Sequence, residues 1–132
     1  MVLLLDEVDA LLNKAYQRLQ AAKELFHMKY YDDCVNRAYY SMVSATTAAL
    51  RFKEITTKTH KGLHNKFSEI FIKSGEIETK LGRQFRYAED LRNKVDYDSF
   101  ETINEEQAEI ILEDAENFID SVEKLIKLKN GK

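Results

Sequence analysis

The chain has 132 residues, a formal net charge of −3 and 44% hydrophobic residues, with four glycines and no proline. Sandwiches and barrels need many turns and therefore more glycine and proline, so this composition favours long, uninterrupted helices. The longest apolar run, residues 2–5, is far shorter than the roughly 20 residues that a membrane span requires. We therefore expect neither a membrane protein nor a secreted one, and the single cysteine, Cys34, is typical of a protein of the reducing cytoplasm.

Five segments repeat their apolar residues at a spacing near 3.6 and are predicted to be helices. The first helix is expected over about residues 6–27. The second begins after Asp32 and Asp33, either of which can cap its exposed N–H groups, and continues to about Phe52. Its apolar residues lie on more than one face, which predicts that it is the central helix.

A short third helix is predicted over about residues 61–73, with Ser74-Gly75 as its C-terminal stop. The fourth helix spans about residues 76–95 and places Phe85 on its apolar stripe. Thr102-x-x-Glu105 has the pattern of a capping box and predicts the start of a fifth helix.

These segments predict an all-α fold over residues 1–132, a single domain built as an up-and-down antiparallel bundle of four main helices plus one short helix. Charge is uneven along the chain: residues 51–94 carry 11 basic and 6 acidic groups, whereas residues 95–132 carry 4 and 11. We expect the basic middle and the acidic tail to cancel largely when the helices pack. Such a bundle supplies no function by itself, so function must come from particular residues.

Two residue types could carry chemistry at the helix starts. His60 and His64 are four residues apart, which would align them on one helix face as in metal sites. Two ligands do not define a zinc site, so hydrogen bonding or capping is the favoured interpretation, and no metal or other cofactor is predicted. Cys34 lies where a helix dipole can lower a thiol pKa, but no base accompanies it, which favours a buried structural role.

Two polar stripes interrupt the apolar helices. The first follows helical spacing on the second helix and consists of Arg37, Tyr40, Ser41 and Ser44. It either lines a binding cleft or forms hydrogen bonds to a neighbouring helix, and the residues alone favour the second reading. The other stripe contains Arg92 and Asp96, which are spaced to form an ion pair. The chain has no glycine-rich phosphate loop, no Ser-His-Asp constellation and no zinc-finger spacing that would indicate sequence-specific DNA binding.

At these stripes the sequence resembles the small stand-alone prokaryotic branch of the HEPN domain family, over about residues 10–128. Four short segments carry the resemblance. They are Asn-Arg-Ala-Tyr-Tyr-Ser-Met at 36–42, Thr-His-Lys-Gly at 59–62, Arg-Asn-Lys-Val-Asp-Tyr-Asp at 92–98 and Glu-Glu-Gln-Ala at 105–108.

The resemblance implies a helical bundle that commonly forms a homodimer. It also implies a role in RNA cleavage, nucleotide binding or a toxin–antitoxin pair, with a minimal nucleotidyltransferase as the antitoxin. The acidic tail would be a candidate docking surface for such a partner if the partner is basic. Ribonuclease members of the family resemble one another at an arginine followed, after four to six residues, by a histidine, and their cleavage needs no metal.

Arg92 matches the family's arginine, but none of the arginines in this chain is followed by a histidine at that spacing. The favoured hypothesis is therefore a binding module whose polar cleft takes a nucleotide, an RNA or a partner protein. The candidate residues for this cleft are Arg37, Tyr40, His60, Arg92, Asp96 and Tyr97.

The alternative is a metal-independent ribonuclease toxin in which Arg92 holds the phosphate and either His60 or Asp96 acts as the base. His60 could do so only if folding brings it to Arg92, and Asp96 only if its pKa is raised, which a neighbouring arginine opposes. A structural, self-associating bundle without a ligand is the third possibility.

Overall fold

The computed structural model describes residues 2–98 and 100–131 of the chain. Five α-helices follow one another within these residues, and a π-helical turn, Ser68–Ile72, extends the third. The helices are α1 (Val2–His27), α2 (Tyr31–Phe52), α3 (His60–Phe67), α4 (Thr79–Tyr97) and α5 (Glu105–Gly131). The predicted all-α bundle of four main helices and one short helix is confirmed.

Side-chain contacts between the long helices give an up-and-down arrangement. Arg18 of α1 donates to Ser44 of α2, and Arg51 of α2 forms an ion pair with Glu7 of α1, so these helices run antiparallel. The α1 and α5 helices are also antiparallel, because Tyr16 contacts Asp120 whereas Lys23, further along α1, reaches back to Glu116 of α5. The lengths of these two contacts are 2.7 and 3.3 Å.

The α2 helix is the central element, as its apolar distribution predicts. It packs against α1, α3, α4 and α5 and buries residues on several faces. An aromatic cluster fills the space between α2, α3, α4 and α5. Its fully or almost fully buried members are Tyr39, Phe67, Phe71, Phe85 and Phe118. The apolar residues on the several faces of α2 are therefore buried inside the bundle.

The third helical segment differs from its prediction because it does not remain an α-helix. The α3 helix ends at Phe67, and the chain continues in the π-helical turn to Ile72. Gly75 then adopts a φ of +82°, a conformation that favours glycine, so the predicted Ser74-Gly75 stop is correct.

The α4 helix begins at Thr79, three residues later than predicted, because the residues before it are tied to other elements. The Glu76 carboxylate pairs with both Lys53 and Lys129 at 3.3 Å. The backbone N–H of Ile77 donates to the carbonyl of Phe71 at 3.0 Å. These contacts hold the segment as a connection between α2, the π-helical turn and α5.

The cap of α5 is also different from its prediction. Asn104 Oδ1 accepts the Gln107 N–H at 2.8 Å, and Gln107 Oε1 accepts the Asn104 N–H at 3.0 Å. This reciprocal pair is a capping box, two residues further along the chain than Thr102-x-x-Glu105. Thr102 lies outside the helix because the neighbouring Ile103 N–H donates to Asp32 Oδ1, which anchors the loop on α2.

None of the helices within residues 2–98 and 100–131 combines the length and the apolar character that crossing a membrane requires.

Candidate functional site

The hydroxyl of Tyr39 is the centre of a polar cluster between α2, α3 and α4. It lies 3.1 Å from Nδ1 of His60, 3.2 Å from Nε2 of His64 and 3.4 Å from Oε2 of Glu89. The Tyr39 ring itself is completely buried in the aromatic core. We call Tyr39, His60, His64, Glu89 and Arg92 the Tyr39 cluster.

The start of α3 positions both histidines. The Thr59 side chain accepts the Gly62 N–H at 2.9 Å and caps the helix, so His60 is its first residue. A Cβ atom at Gly62 would lie 3.1 Å from the Thr59 hydroxyl, which explains why glycine suits this first turn. His64 follows one turn later on the same face, as the spacing predicts, and both imidazoles reach Tyr39.

Burial separates the two histidines chemically. His64 is almost fully buried, and this burial lowers its pKa to about 4, with the nearby Arg86 and His60 contributing in the same direction. His64 is therefore neutral at pH 7. His60 is exposed at the edge of the cluster, where it remains accessible to a ligand.

Arg92 completes the cluster from α4. Its guanidinium carbon lies 5.1 Å from the centre of the Tyr40 ring and 5.8 Å from that of Tyr39, within the range of cation–π contacts. Its buried Nε is 3.2 Å from Oδ2 of Asp96, an ion pair without hydrogen-bond geometry, and Nη1 donates to Asn93. Nη2 donates no hydrogen bond to any residue that the structure describes.

The structure thus brings together four of the predicted site residues. Tyr40 contacts both His60 and Arg92, with the rings of Tyr40 and His60 centred 5.8 Å apart, and Asp96 forms an ion pair with Arg92. Two other candidates are outside the cluster. Arg37 is exposed and has no hydrogen bond or ion pair to the cluster, and Tyr97 is 87% exposed at the end of α4.

The four residues of the polar stripe on α2 lie in different environments. Ser41 is buried and donates to the carbonyl of Ala38 at 2.6 Å, and Ser44 is buried and accepts from Arg18 at 2.6 Å. Ser44 thus agrees with the interpretation that the stripe forms hydrogen bonds to a neighbouring helix, whereas the hydrogen bond of Ser41 stays within α2. Tyr40 alone among the four members contacts the Tyr39 cluster.

The remaining candidates for chemistry are a metal site, suggested by the spacing of the histidines, and the Cys34 thiol. No group of three or more histidine, cysteine, aspartate or glutamate side chains within residues 4–98 and 100–130 is arranged to hold a metal ion. Burial raises the pKa of the Cys34 thiol to about 12, so this cysteine is protonated and unreactive at neutral pH.

Three members of the cluster were not among the predicted site residues. Tyr39 occupies an apolar position of α2, and a hydroxyl in such a stripe gives no sign of its partners. His64 has a signal, its spacing from His60, although that spacing resembles a metal site more than a hydrogen-bond pair. Glu89 precedes Arg92 by three residues, so it lies on the same face of α4.

The family can be assigned at this point, because the sequence profile of the HEPN domain matches residues 8–125. The chain belongs to the HEPN family. The matched range includes all five members of the Tyr39 cluster, and it covers the two segments, at 36–42 and 92–98, from which Tyr39 and Arg92 come.

Named relatives of this HEPN chain are prokaryotic proteins of similar length. The chain is 35% identical to Putative toxin MJ0142 of Methanocaldococcus jannaschii over 124 residues, which is 94% of this chain and 84% of the relative. It is 38% identical to Putative toxin MJ0605 of the same organism over 122 residues, 92% of this chain and 90% of that protein. A UPF0332 protein of Thermotoga maritima is 30% identical over 114 residues, 86% of each chain.

Proposed function

We propose that this HEPN chain is a toxin-like module of a toxin–antitoxin or nucleotidyltransferase-associated pair, and that the Tyr39 cluster binds the phosphate group of a nucleotide or an RNA strand. The observation that carries the proposal is the half-buried Arg92 guanidinium, held over the Tyr39 and Tyr40 rings beside the exposed His60. The names of the two relatives from Methanocaldococcus jannaschii support the toxin assignment.

The environment of Arg92 suits a phosphate ligand for two reasons. Its contacts to Asp96 and Asn93 restrict the rotation of the guanidinium, so the side chain loses little further conformational freedom when a ligand binds. Charge-assisted hydrogen bonds from arginine to phosphate are also among the strong ones, particularly where water is partly excluded. The half-exposed Tyr40 ring next to it offers a surface on which a base can stack.

Fluorescence anisotropy with a labelled single-stranded oligoribonucleotide tests this proposal, with unlabelled ATP as a competitor. We expect Arg92→Ala to weaken the affinity by about tenfold or more, equivalent to about 1.4 kcal/mol. Arg37→Ala is the matched control, because it removes the same charge from an exposed position outside the cluster. Equal affinities of both variants and the wild type would contradict the proposal.

A metal-independent ribonuclease is the second candidate, and the position of His60 favours it. The His60 ring and the Arg92 guanidinium both lie within 6 Å of the centre of the Tyr40 ring, so a candidate base and a candidate phosphate-binding group contact the same aromatic side chain. A neutral imidazole can accept the proton of a ribose 2′-hydroxyl as that oxygen attacks the adjacent phosphorus. The bond from this phosphorus to the 5′-oxygen of the next nucleotide then breaks, and the 5′-oxygen leaves with a proton from water. Asp96 is less suited to this role because it is paired with Arg92.

RNA cleavage in the presence of EDTA tests the second candidate. His60→Ala is expected to abolish cleavage, whereas His27→Ala, which removes an exposed histidine at the end of α1, is expected to leave it intact. Cleavage that survives in His60→Ala would exclude His60 as the base. Absence of cleavage by the wild-type protein would leave phosphate binding as the function.

A homodimer and a nucleotidyltransferase partner are further parts of the proposal. Tyr97 and Phe100 are 87% and 93% exposed near the C-terminal end of α4, which supports an interface there. The acidic residues at the start of α5, Glu105 and Glu106, are exposed and suit a basic partner. Light scattering at micromolar concentration tests the dimer, and a strictly monomeric particle would contradict it.

A further inference from the structure

The Tyr39 hydroxyl has three hydrogen-bond partners and only one proton. Its donor and acceptor roles towards these partners can therefore be assigned. The partners are Nδ1 of His60, Nε2 of His64 and Oε2 of Glu89, at 3.1, 3.2 and 3.4 Å. A hydroxyl can donate one hydrogen bond and accept two. All three contacts can therefore form together only if Tyr39 donates to one partner and accepts from the other two.

Glu89 determines which partner receives the Tyr39 proton. A carboxylate can only accept hydrogen bonds, so its contact with Tyr39 requires the phenolic O–H as the donor. Burial and the nearby Glu89 charge raise the pKa of Tyr39, which keeps that proton on the phenol at neutral pH. The Tyr39 oxygen is then left with its lone pairs for the two imidazoles.

The contacts of His64 agree with donation of the Tyr39 proton to Glu89. Its Nε2 lies 3.5 Å from Oε1 of Glu89 as well as 3.2 Å from the Tyr39 oxygen. Both neighbours can accept, and the neutral ring carries one N–H, so the proton belongs on Nε2. His64 therefore donates into the cluster, and the remaining acceptor site on the Tyr39 oxygen faces His60.

We propose that Glu89 and Tyr39 are positioning residues that hold the proton of neutral His60 on Nδ1 and leave its Nε2 as an accessible hydrogen-bond acceptor. Nε2 has no hydrogen-bond partner among the described residues, and His60 is exposed. The carboxylate acts on the exposed imidazole through the tyrosine, because no direct contact joins Glu89 to His60.

The Nδ1–H tautomer determines which chemical group of a ligand can form a hydrogen bond with His60. This step rests on the proposed function of the cluster. An unprotonated Nε2 accepts a hydrogen bond from a hydroxyl, whereas a protonated Nε2 would donate one to a phosphate oxygen. With Arg92 supplying the donors for phosphate, His60 is suited to a ribose hydroxyl. The cluster would thus favour ribonucleotides over deoxyribonucleotides, which lack the 2′-hydroxyl.

The tautomer can be measured in the free protein by nitrogen-15 NMR of the histidine side chains at about pH 8. We expect the wild type to show His60 protonated on Nδ1. Glu89→Ala frees the Tyr39 proton to point at His60, so the proton of His60 is expected to move to Nε2. Tyr39→Phe removes the acceptor and is expected to abolish the preference for Nδ1.

Tyr40→Phe is the matched control for Tyr39→Phe, because the Tyr40 hydroxyl makes no hydrogen bond to a described residue while its ring keeps the contacts to His60 and Arg92. This variant is expected to retain the Nδ1–H form. A wild-type His60 protonated on Nε2, or an unchanged tautomer in both Glu89→Ala and Tyr39→Phe, would overturn the proposal.

The NMR result does not depend on ligand binding, so it separates this proposal from the proposed function. An Nδ1–H tautomer in a protein that binds no RNA would support the positioning role and reject the phosphate site. RNA binding by a protein with the Nε2–H tautomer would support the site and reject the positioning role.

Discussion

The Tyr39 hydroxyl lies 3.1 Å from Nδ1 of His60, so a residue buried in the aromatic core is hydrogen-bonded to an exposed imidazole at the edge of the bundle. The contact joins the centre of α2 to the first residue of α3. It couples the accessible part of the candidate site to side chains whose conformations are restricted by the core, an arrangement that favours a precisely oriented ligand contact.

Phe85 is expected to be a major contributor to stability. It is completely buried, and its ring packs on those of His64 and Phe118 with centroids 3.9 and 5.0 Å away. Phe85→Ala should therefore lower the free energy of unfolding by roughly 3–5 kcal/mol. Chemical denaturation measures this, with Met28→Ala as the control because Met28 is 60% exposed and lies outside the proposed interface. Similar denaturation midpoints for both variants would contradict the assignment of Phe85 to the core.

His64 should make stability depend on pH. Its pKa is about 4 in the folded chain because of burial, against about 6.5 in an unfolded chain, so the unfolded state binds more protons between these values. The His64 contribution is therefore fully present above pH 6.5 and is lost as the pH falls towards 4, by roughly 3 kcal/mol in total.

Denaturation of wild type and His64→Gln across this range separates His64 from other titrating groups. The variant lacks the ionisable ring, so its stability should fall less steeply between pH 6.5 and 4. Parallel curves for the two proteins would show that His64 is not held neutral by the fold.

The N-terminus of α5 offers a comparison of two candidate caps. Asn104 and Gln107 each accept the other's backbone N–H with a side-chain oxygen, whereas Thr102 precedes the helix as an exposed residue. Asn104→Ala is expected to cost about 1 kcal/mol of stability, and Thr102→Ala is expected to change it little. The reverse order in thermal or chemical denaturation would restore the cap that the sequence pattern predicts.

Tyr16 should strengthen the contact between α1 and α5. Its hydroxyl oxygen lies 2.7 Å from Oδ1 of Asp120 and 2.9 Å from Oε1 of Glu123, so its single proton can be donated to either carboxylate. Burial together with these carboxylates raises the pKa of Tyr16. Because the site is partly exposed, Tyr16→Phe is expected to lower stability by only about 1 kcal/mol. Tyr87→Phe is the control, since the Tyr87 hydroxyl has no hydrogen-bond partner among the described residues. An equal effect of the two substitutions would contradict the role of Tyr16.

The helical bundle could be predicted from the sequence because apolar periodicity is a local property of the chain. The same property places Phe85 in the core and α2 at the centre. Helix ends depend on tertiary contacts, and these were less predictable. The start of α4 is delayed by the contacts of Glu76 with Lys53 and Lys129, residues far away in the sequence.

The candidate site could be predicted only in part, for a related reason. Arg92 and His60 are polar residues in recognisable short motifs, so each can be identified as a candidate from the sequence alone. Tyr39 resembles any buried aromatic residue until α3 and α4 bring His60, His64 and Glu89 to its hydroxyl. Arg37 follows the spacing of a polar stripe, but its exposed position leaves it outside the cluster.

The central claim is that a phosphate-bearing ligand binds at the Tyr39 cluster, and mapping the ligand by NMR tests it most directly. Titration of the labelled protein with a short oligoribonucleotide should shift the resonances of Tyr39, Tyr40, His60 and Arg92 most strongly, while those of Tyr16 and Asp120, in the contact between α1 and α5, stay unchanged. Shifts concentrated between α1 and α5, or no shifts at saturating oligonucleotide, would contradict the claim.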